Sequence, residues 1–230
     1  MAPDPADPAD SAAPVLDEAL DAALDAVARH GGRLESHRGA ARWWITDPDS
    51  AAEDAAAHLG LRETRRLHQM RRPLPYDGDV SPAPTRPFDP ERDTDHWLTV
   101  NNEAFTWHPD QGGWTRSDLD ERMAEPWFDL DDFRVTVDSP LTGFCWTKLH
   151  PAGTADPSVA VGEIYVIAVS PASAGRGQGA ALTVAGLDHQ WRTHGTPIGM
   201  LYVESTNDRA LATYRRLGFE IAATDVAFEP

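Results

Sequence analysis

The stretch VSPASAGRGQGAALTVAGL, residues 169–187, sets Gly175, Gly177 and Gly179 between an apolar run and a helix-periodic segment. Without side chains there, successive N–H groups can turn inward, and the start of the next helix adds the positive end of its dipole. The combination is an anion cradle. Dinucleotides, nucleotide triphosphates and coenzyme A all carry phosphate that such a loop can hold. The run before it, VGEIYVIAVS, is apolar enough for a central strand.

A formal net charge of −17 narrows the partners. Nucleic-acid backbones and anionic membranes attract Lys and Arg, so neither is expected, and an anionic ligand must be held by local donors against the overall field. The 230 residues suffice for one large domain or two small ones. Cys145 is the only cysteine, which leaves no internal disulfide and no cysteine metal cluster; no metal is expected. In GFCWTKL it reads as a small buried hydrophobe rather than a nucleophile. No stretch is long and apolar enough to span a membrane. The start, MAPDPADPADSAAP, lacks a basic region and an apolar region, and its Pro, Asp and Ala content reads as a disordered leader over residues 1–14. A cytoplasmic location follows as the default expectation.

Periodicity supplies the elements. Leu16, Leu20, Leu24 and Val27 share one face of a helix over 16–32 that glycines stop. RLESHRGAARWWITD reads as one extended segment, SAAEDAAAHLG as a short helix ending at Gly60, and LRETRRLHQMRRPL as a strand. The Pro-rich RPLPYDGDVSPAPTRP reads as a boundary, with residues 75–84 as linker. HWLTVNNEAF (96–105) is predicted helical, HPDQGGW a loop, and RSDLDERMAEPWF a helix stopping near Pro126. DFRVTVDS and LTGFCWTKLH are two strands turned at Ser139–Pro140. After the glycine loop comes a helix with Val184, Leu187 and Trp191 on one side, then the strand GMLYVES. TNDRALATYRRLGFE is a helix with Ala210, Tyr214 and Leu217 in register and Gly218 as its stop. The order predicts a mixed α/β sheet with its ligand at the glycine loop.

The three anions are not equally served. A P-loop needs Gly-Lys-Ser/Thr, whereas Gly179 is followed by Ala180 and Ala181. Gly175, Gly177 and Ala180 match the dinucleotide fingerprint G-x-G-x-x-A, and Glu204 ends the next strand where a ribose-binding acid would sit. Against that reading, SPASA separates the strand from the first glycine, and two or three strands precede a unit that should open a βαβαβ half. Residues 174–179 instead have the spacing of the Q/R-x-x-G-x-G/A pyrophosphate loop, with Ala174 in the Gln/Arg place. Downstream, Asn207, Ala210, Tyr214, Gly218 and Phe219 reproduce N-x-x-A-x-x-x-Y-x-x-x-G-F. Together these motifs resemble those of the GNAT N-acetyltransferases, which bind acyl-coenzyme A. Asn207 stands where it can cap a helix or reach the cofactor, and Tyr214 lies nearly two turns later on the same face.

NNEAFTWHPDQGGWT, EPWF, GFCWTKLHP, GEIYVIAVSP and MLYVESTN are similar to stretches of the mycothiol synthases, a branch of that family. The resemblance covers roughly residues 60–225, and HPDQGGW is its most specific part. It implies transfer of acetyl from acetyl-CoA to the cysteinyl amine of cysteinyl-glucosaminyl-inositol, without metal. It assigns acetyl-CoA to Ile167, Ala168 and Val169, where the central strand splays and amides can polarise the thioester carbonyl. Ala174, Gly175, Arg176, Gly177, Gln178, Gly179 and Ala180 would hold the pyrophosphate. Asn207, Asp208, Arg209, Ala210, Leu211 and Ala212 would form the cofactor's other flank. Asp110, Lys148, Glu163 and Tyr202 would meet the acceptor, with Asp110 departing from the family's usual Glu. Glu163 suits the general base that frees the attacking amine, and Tyr214 the acid that protonates the departing thiolate. Lys148 is the only lysine in the chain. The same loop leaves room for a GNAT enzyme with another small amine or a peptide N-terminus as acceptor, and for a coenzyme A binder without turnover.

The first half repeats the second in outline. Helix 16–32, strand ARWWI, helix 50–59 and HLGLRE parallel helix 180–193, strand GMLYV, helix 207–217 and RLGFE, with Ala52, Ala56 and Gly60 at the places of Ala210, Tyr214 and Gly218. The expectation is a tandem of GNAT folds: a partial, degenerate copy over 15–74 lacking its early strands and glycine loop, then a catalytic copy over 85–230. A half sheet exposes an unpaired edge, so the expected monomer carries a tendency to self-associate.

Overall fold

The computed structural model describes residues 24–37, 40–106 and 111–230. The leader 1–14, the first turns of the expected helix 16–32, and Asp110 with the HPD part of its loop lie outside them. The chain forms two compact units. The first comprises residues up to Gln69 with 204–206 and 222–230; the second comprises 70–203 and 207–221.

In the first unit, helix α1 (24–30) precedes β1 (Arg33–His37) and β2 (Ala40–Thr46), followed by α2 (Ser50–His58) and most of β3 (Arg62–Pro73). With most of β9 (Glu220–Glu229) they order β1-β2-β9-β3. The segment expected to be one extended run is instead a hairpin, with Leu34 opposite Trp43 and Glu35 opposite Arg42. Strand β1, RLESH, has one apolar residue and so no period of its own, which is why the turn was not legible. Trp43, Ile45, Ala52, Ala56, Val226 and Phe228 make this unit's core.

The second unit adds β4 (Thr85–Pro87), α3 (Pro90–Ala104), α4 (Arg116–Met123), β5 (Phe133–Thr136), β6 (Gly143–His150), β7 (Val161–Val169), α5 (Gln178–His194), β8 (Ile198–Glu204) and α6 (Asp208–Arg216). Its strands order β3-β8-β7-β6-β5-β4, antiparallel from β4 through β7 and parallel between β7 and β8. The expected mixed sheet with β7 inside it is present. Helix α3 starts earlier than predicted, because Asp89 caps it and Pro90 opens it, a start signal outweighed by the Pro-rich surroundings. Helix α4 stops at Met123, before the expected Pro126; Thr115 and Asp118 form its capping box.

Each face of this sheet has its own core. Cys145, Ile164, Leu182, Val184, Leu187, Leu201 and Val203 pack together on the α5 side. Phe133, Phe144, Trp146 and Val166 pack with Trp97 of α3 and Leu119 of α4 on the other. The Phe133 ring stacks between Phe88 at 4.3 Å and Trp146 at 4.2 Å, burying aromatic area that anchors β5. Helix α5 lies close on the strands: a Cβ at Gly186 would fall 2.5 Å from Cys145 Sγ. That contact excludes any larger residue and fixes where the N-terminus of α5 points. Trp191, expected beside Val184 and Leu187, is instead exposed at 37%. Residues 75–84, read as a linker, pack here: Tyr76, Val80 and Ala83 lie against the α5 core, and Ala83 N–H donates to the Ala181 carbonyl. Burial pushes the Cys145 thiol up to about 12, as befits a packing residue.

Candidate active site

Strands β7 and β8 pair in parallel only from Val161↔Ile198 to Ile164↔Leu201. The parallel ladder ends there, although β7 runs on to Val169 and β8 to Glu204. A β-bulge supplies the physical cause. The β6–β7 register shifts between Trp146 and Thr147, leaving Tyr165 as the extra residue. Tyr165 and Val166 therefore both face the α3 side, whereas Ile164 and Ile167 face α5. A bulge raises local twist and turns β7 away from its parallel neighbour.

The opening exposes backbone donors. Ser170 N–H donates to the Thr142 carbonyl at 2.8 Å, so by alternation Ala168 points its amide toward β6. The amides of Ile167 and Val169 then point the other way, into the opening. Of the three residues expected to meet the thioester, two present their N–H groups there and Ala168 does not.

Below the opening lies the glycine loop. A short 3-10 turn, Pro171–Ser173, separates β7 from it. Gly175 and Gly177 adopt φ of +84° and +80°, a conformation that strains other residues. Among the described residues, a Cβ at Gly175, Gly177 or Gly179 would meet nothing within 4 Å, so their smallness serves no packing there. Gly177 caps α5 with no side-chain hydrogen bond, which leaves the first-turn amides and the positive dipole end to an incoming anion. Arg176 is exposed beside them and Ala180 is buried. Gln178 commits its side chain elsewhere, donating to Thr142 Oγ1 at 2.8 Å.

At the start of α6, Asn207 Oδ1 accepts from the Ala210 amide at 3.2 Å and caps the helix. Asp208, Arg209 and Ala212 are exposed, while Leu211 enters the α5-side core. Tyr214 packs against that core and meets Phe219 edge-on at 5.9 Å. Burial raises its phenol well above the ordinary tyrosine value, with a smaller push from Cys145, so it is protonated at neutral pH.

Glu163, Lys148 and Tyr202 lie on the opposite face. Glu163 pairs directly with Lys148 across β6–β7 and with Met200 across β7–β8. A Cβ at Gly162 would strike Gln190 of α5, and Leu201 packs on the α5 side, so the alternating Glu163 and Tyr202 face away from it. Lys148 Nζ sits 4.3 Å over the Trp127 ring and 5.7 Å from Tyr165, held by cation–π attraction.

Sequence reasoning missed His150. Its Nε2 lies 2.6 Å from Glu163 Oε2, and the carboxylate is buried while the imidazole is partly exposed. The signal was present in GFCWTKLH, where Lys148 and His150 alternate onto one face of the strand. Nearby, Arg122 covers Tyr165 and Trp114, and an open cleft is lined by Trp114, Asp118, Glu121, Arg122 and Glu125. Asn101 and Asn102 of α3 donate to the carbonyls of Gln111 and Trp114, both at 2.8 Å, which gives NNEAF…QGGW a structural reason. Glu204, the acid a dinucleotide would need, is bound by Arg65 at 2.6 Å.

The acetyltransferase (GNAT) family matches residues 91–219. A mycothiol acetyltransferase of Acidimicrobium ferrooxidans is 43% identical over 98% of this chain and 71% of its own length. One of Mycolicibacterium gilvum is 45% identical over 81% and 63%. Among solved structures, a GCN5-related N-acetyltransferase from Sphaerobacter thermophilus superposes with a TM-score of 0.65 at 21% identity, over 82% of this chain and 58% of that one. The chain belongs to the GNAT acetyltransferases and, within them, to the mycothiol acetyltransferases. It spans about two thirds of the length of these curated relatives.

Proposed function

We propose that this protein transfers the acetyl group of acetyl-CoA to the amine of cysteinyl-glucosaminyl-inositol, completing mycothiol. The observation that carries the reading is the end of the β7–β8 ladder at Ile164↔Leu201, with Glu163 on one face of the sheet and Tyr214 on the other. A base and an acid on opposite faces can serve one reaction only through the sheet, and the opening provides that passage.

Residues 174–180 and the first turn of α5 hold the pyrophosphate, with Asn207–Ala212 along the other flank. The Ile167 and Val169 amides donate to the thioester carbonyl and stabilise the charge it gains under attack. Glu163 takes a proton from the acceptor's ammonium, and His150, donating from Nε2, steadies the carboxylate. The freed amine forms the C–N bond, the C–S bond breaks, and Tyr214 protonates the thiolate to leave amide and coenzyme A. The fixed geometry favours direct attack without an acyl-enzyme. On the acceptor side, Lys148 and Tyr202 offer polar contacts for hydroxyls.

Product mass spectrometry with acetyl-CoA and a panel of amines tests the acceptor. Acetylation of cysteinyl-glucosaminyl-inositol in preference to glucosamine, cysteine and a peptide N-terminus is expected. Preference for another amine would keep the acetyltransferase and replace its substrate, and coenzyme A binding without any product would reduce the protein to a binder.

A further inference from the structure

Asp132, His189 and His194 gather at the end of α5 remote from the glycine loop, about 24 Å along the helix at 1.5 Å per residue. Nothing in acetyl transfer uses them. We propose that they form a binding site for one divalent transition-metal ion, best suited to zinc.

Their ligand atoms all lie within 4.8 Å of one another. His189 Nε2 and His194 Nε2 each stand 2.8 Å from the same Asp132 Oδ1. The imidazoles cross at 88° with centroids 6.0 Å apart, so their Nε2 atoms converge from two directions instead of stacking. Asp132 is 2% exposed, and its backbone carbonyl accepts from Thr147 N–H and Oγ1–H, which pins the residue.

Two further features fit a metal ion. His194 closes α5, where the helix carries its negative dipole end, so the helix that offers amides to an anion at its start favours a cation at its finish. Thr193 Oγ1 lies 3.4 Å from His189 Nδ1, where it can hold the ring with Nε2 directed at the metal. Two imidazoles with one carboxylate suit zinc or cobalt and leave a position for water, whereas magnesium and calcium prefer all-oxygen shells. Both histidine side chains are slightly exposed, which gives the ion a way in. The bound ion would clip the entry of β5 to the end of α5. The ligands are scattered along the chain, so no sequence spacing announces them.

Cobalt titration of the full chain, stripped with chelator, reads the site through its visible absorption, with zinc as competitor. One cobalt per chain, displaced by zinc, is expected, with affinity lowered about 100-fold or more in His189→Gln and in His194→Gln. Zinc should raise the Tm of the wild type by several degrees and leave both variants unmoved. Metal uptake equal in wild type and variants, or an absent cobalt spectrum, would show a purely hydrogen-bonded cluster and overturn the proposal. If a variant does not fold, diethyl pyrocarbonate labelling of the wild type decides: zinc protection of His189 and His194 supports the site, and undiminished labelling of both contradicts it.

Discussion

Helices α2 and α6 are the same device built twice. Asp49 caps one by accepting from Ala52 N–H, and Asn207 caps the other by accepting from Ala210 N–H. At the far ends, Leu61 N–H donates to Ala56 and Phe219 N–H to Tyr214, at 2.9 and 3.0 Å. Gly60 and Gly218 then leave each helix at φ of +73° and +81°. One position carries the difference: Ala56 is packed at 1% exposure where the other helix has Tyr214. The repetition supports the proposed tandem origin, and it separates scaffold from chemistry. Caps and glycines belong to the helix as such; the tyrosine is the residue proposed for the reaction.

Tyr214→Phe breaks the comparison most sharply. It should lower kcat about 100-fold while leaving acetyl-CoA affinity nearly unchanged. An equal loss in KM alone would remove Tyr214 from the chemistry. The reverse exchange, Ala56→Tyr, should leave kcat intact and destabilise by about 1–3 kcal/mol through overpacking, read by urea unfolding.

Acid separates the two units next. In the second unit, burial raises the Asp93 carboxyl, but hydrogen bonds from Arg86 and Arg92 prevail and bring it to about 2. A depressed carboxylate contributes stability fully present above its unfolded value near 4 and lost as pH falls through about 2. Asp93→Asn should therefore cost about 2 kcal/mol at neutral pH and little at pH 2. In the first unit, Glu63 is lowered chiefly by its hydrogen bond from Arg66, but solvent screens that exposed pair, so Glu63→Gln should hardly change the acid profile.

The smallest effects sharpen the matched positions. Gly60→Ala and Gly218→Ala should each cost about 1 kcal/mol for their left-handed backbone. Gly218→Ala should cost more, because its Cβ would meet Arg72 Nη1 at 3.2 Å, whereas that of Gly60 meets open space. Asp49→Ala and Asn207→Ala should each lose about 1 kcal/mol of cap, yet only the second should weaken acetyl-CoA binding.

Most of this was legible in the residues, and the gaps have physical reasons. The glycine loop and the Asn207-to-Phe219 pattern carry local backbone demands, so both could be read directly. Glu163 and Lys148 were legible as strand residues, but His150 joins Glu163 only through the β6–β7 register, which periodicity does not supply. The Tyr165 bulge was hidden for the same reason: an extra residue in an unbroken apolar run leaves no mark. Hairpin β1–β2 looked like one strand, and β4 is too short to show a period.

In the proposed reaction Glu163 activates an amine at the opening between β7 and β8. The direct measurement is product formation by wild type and Glu163→Gln at saturating acetyl-CoA and cysteinyl-glucosaminyl-inositol, with acetyl-CoA binding measured in parallel. A loss of about 100-fold or more in turnover with binding unchanged is expected. Turnover that survives the substitution would contradict it.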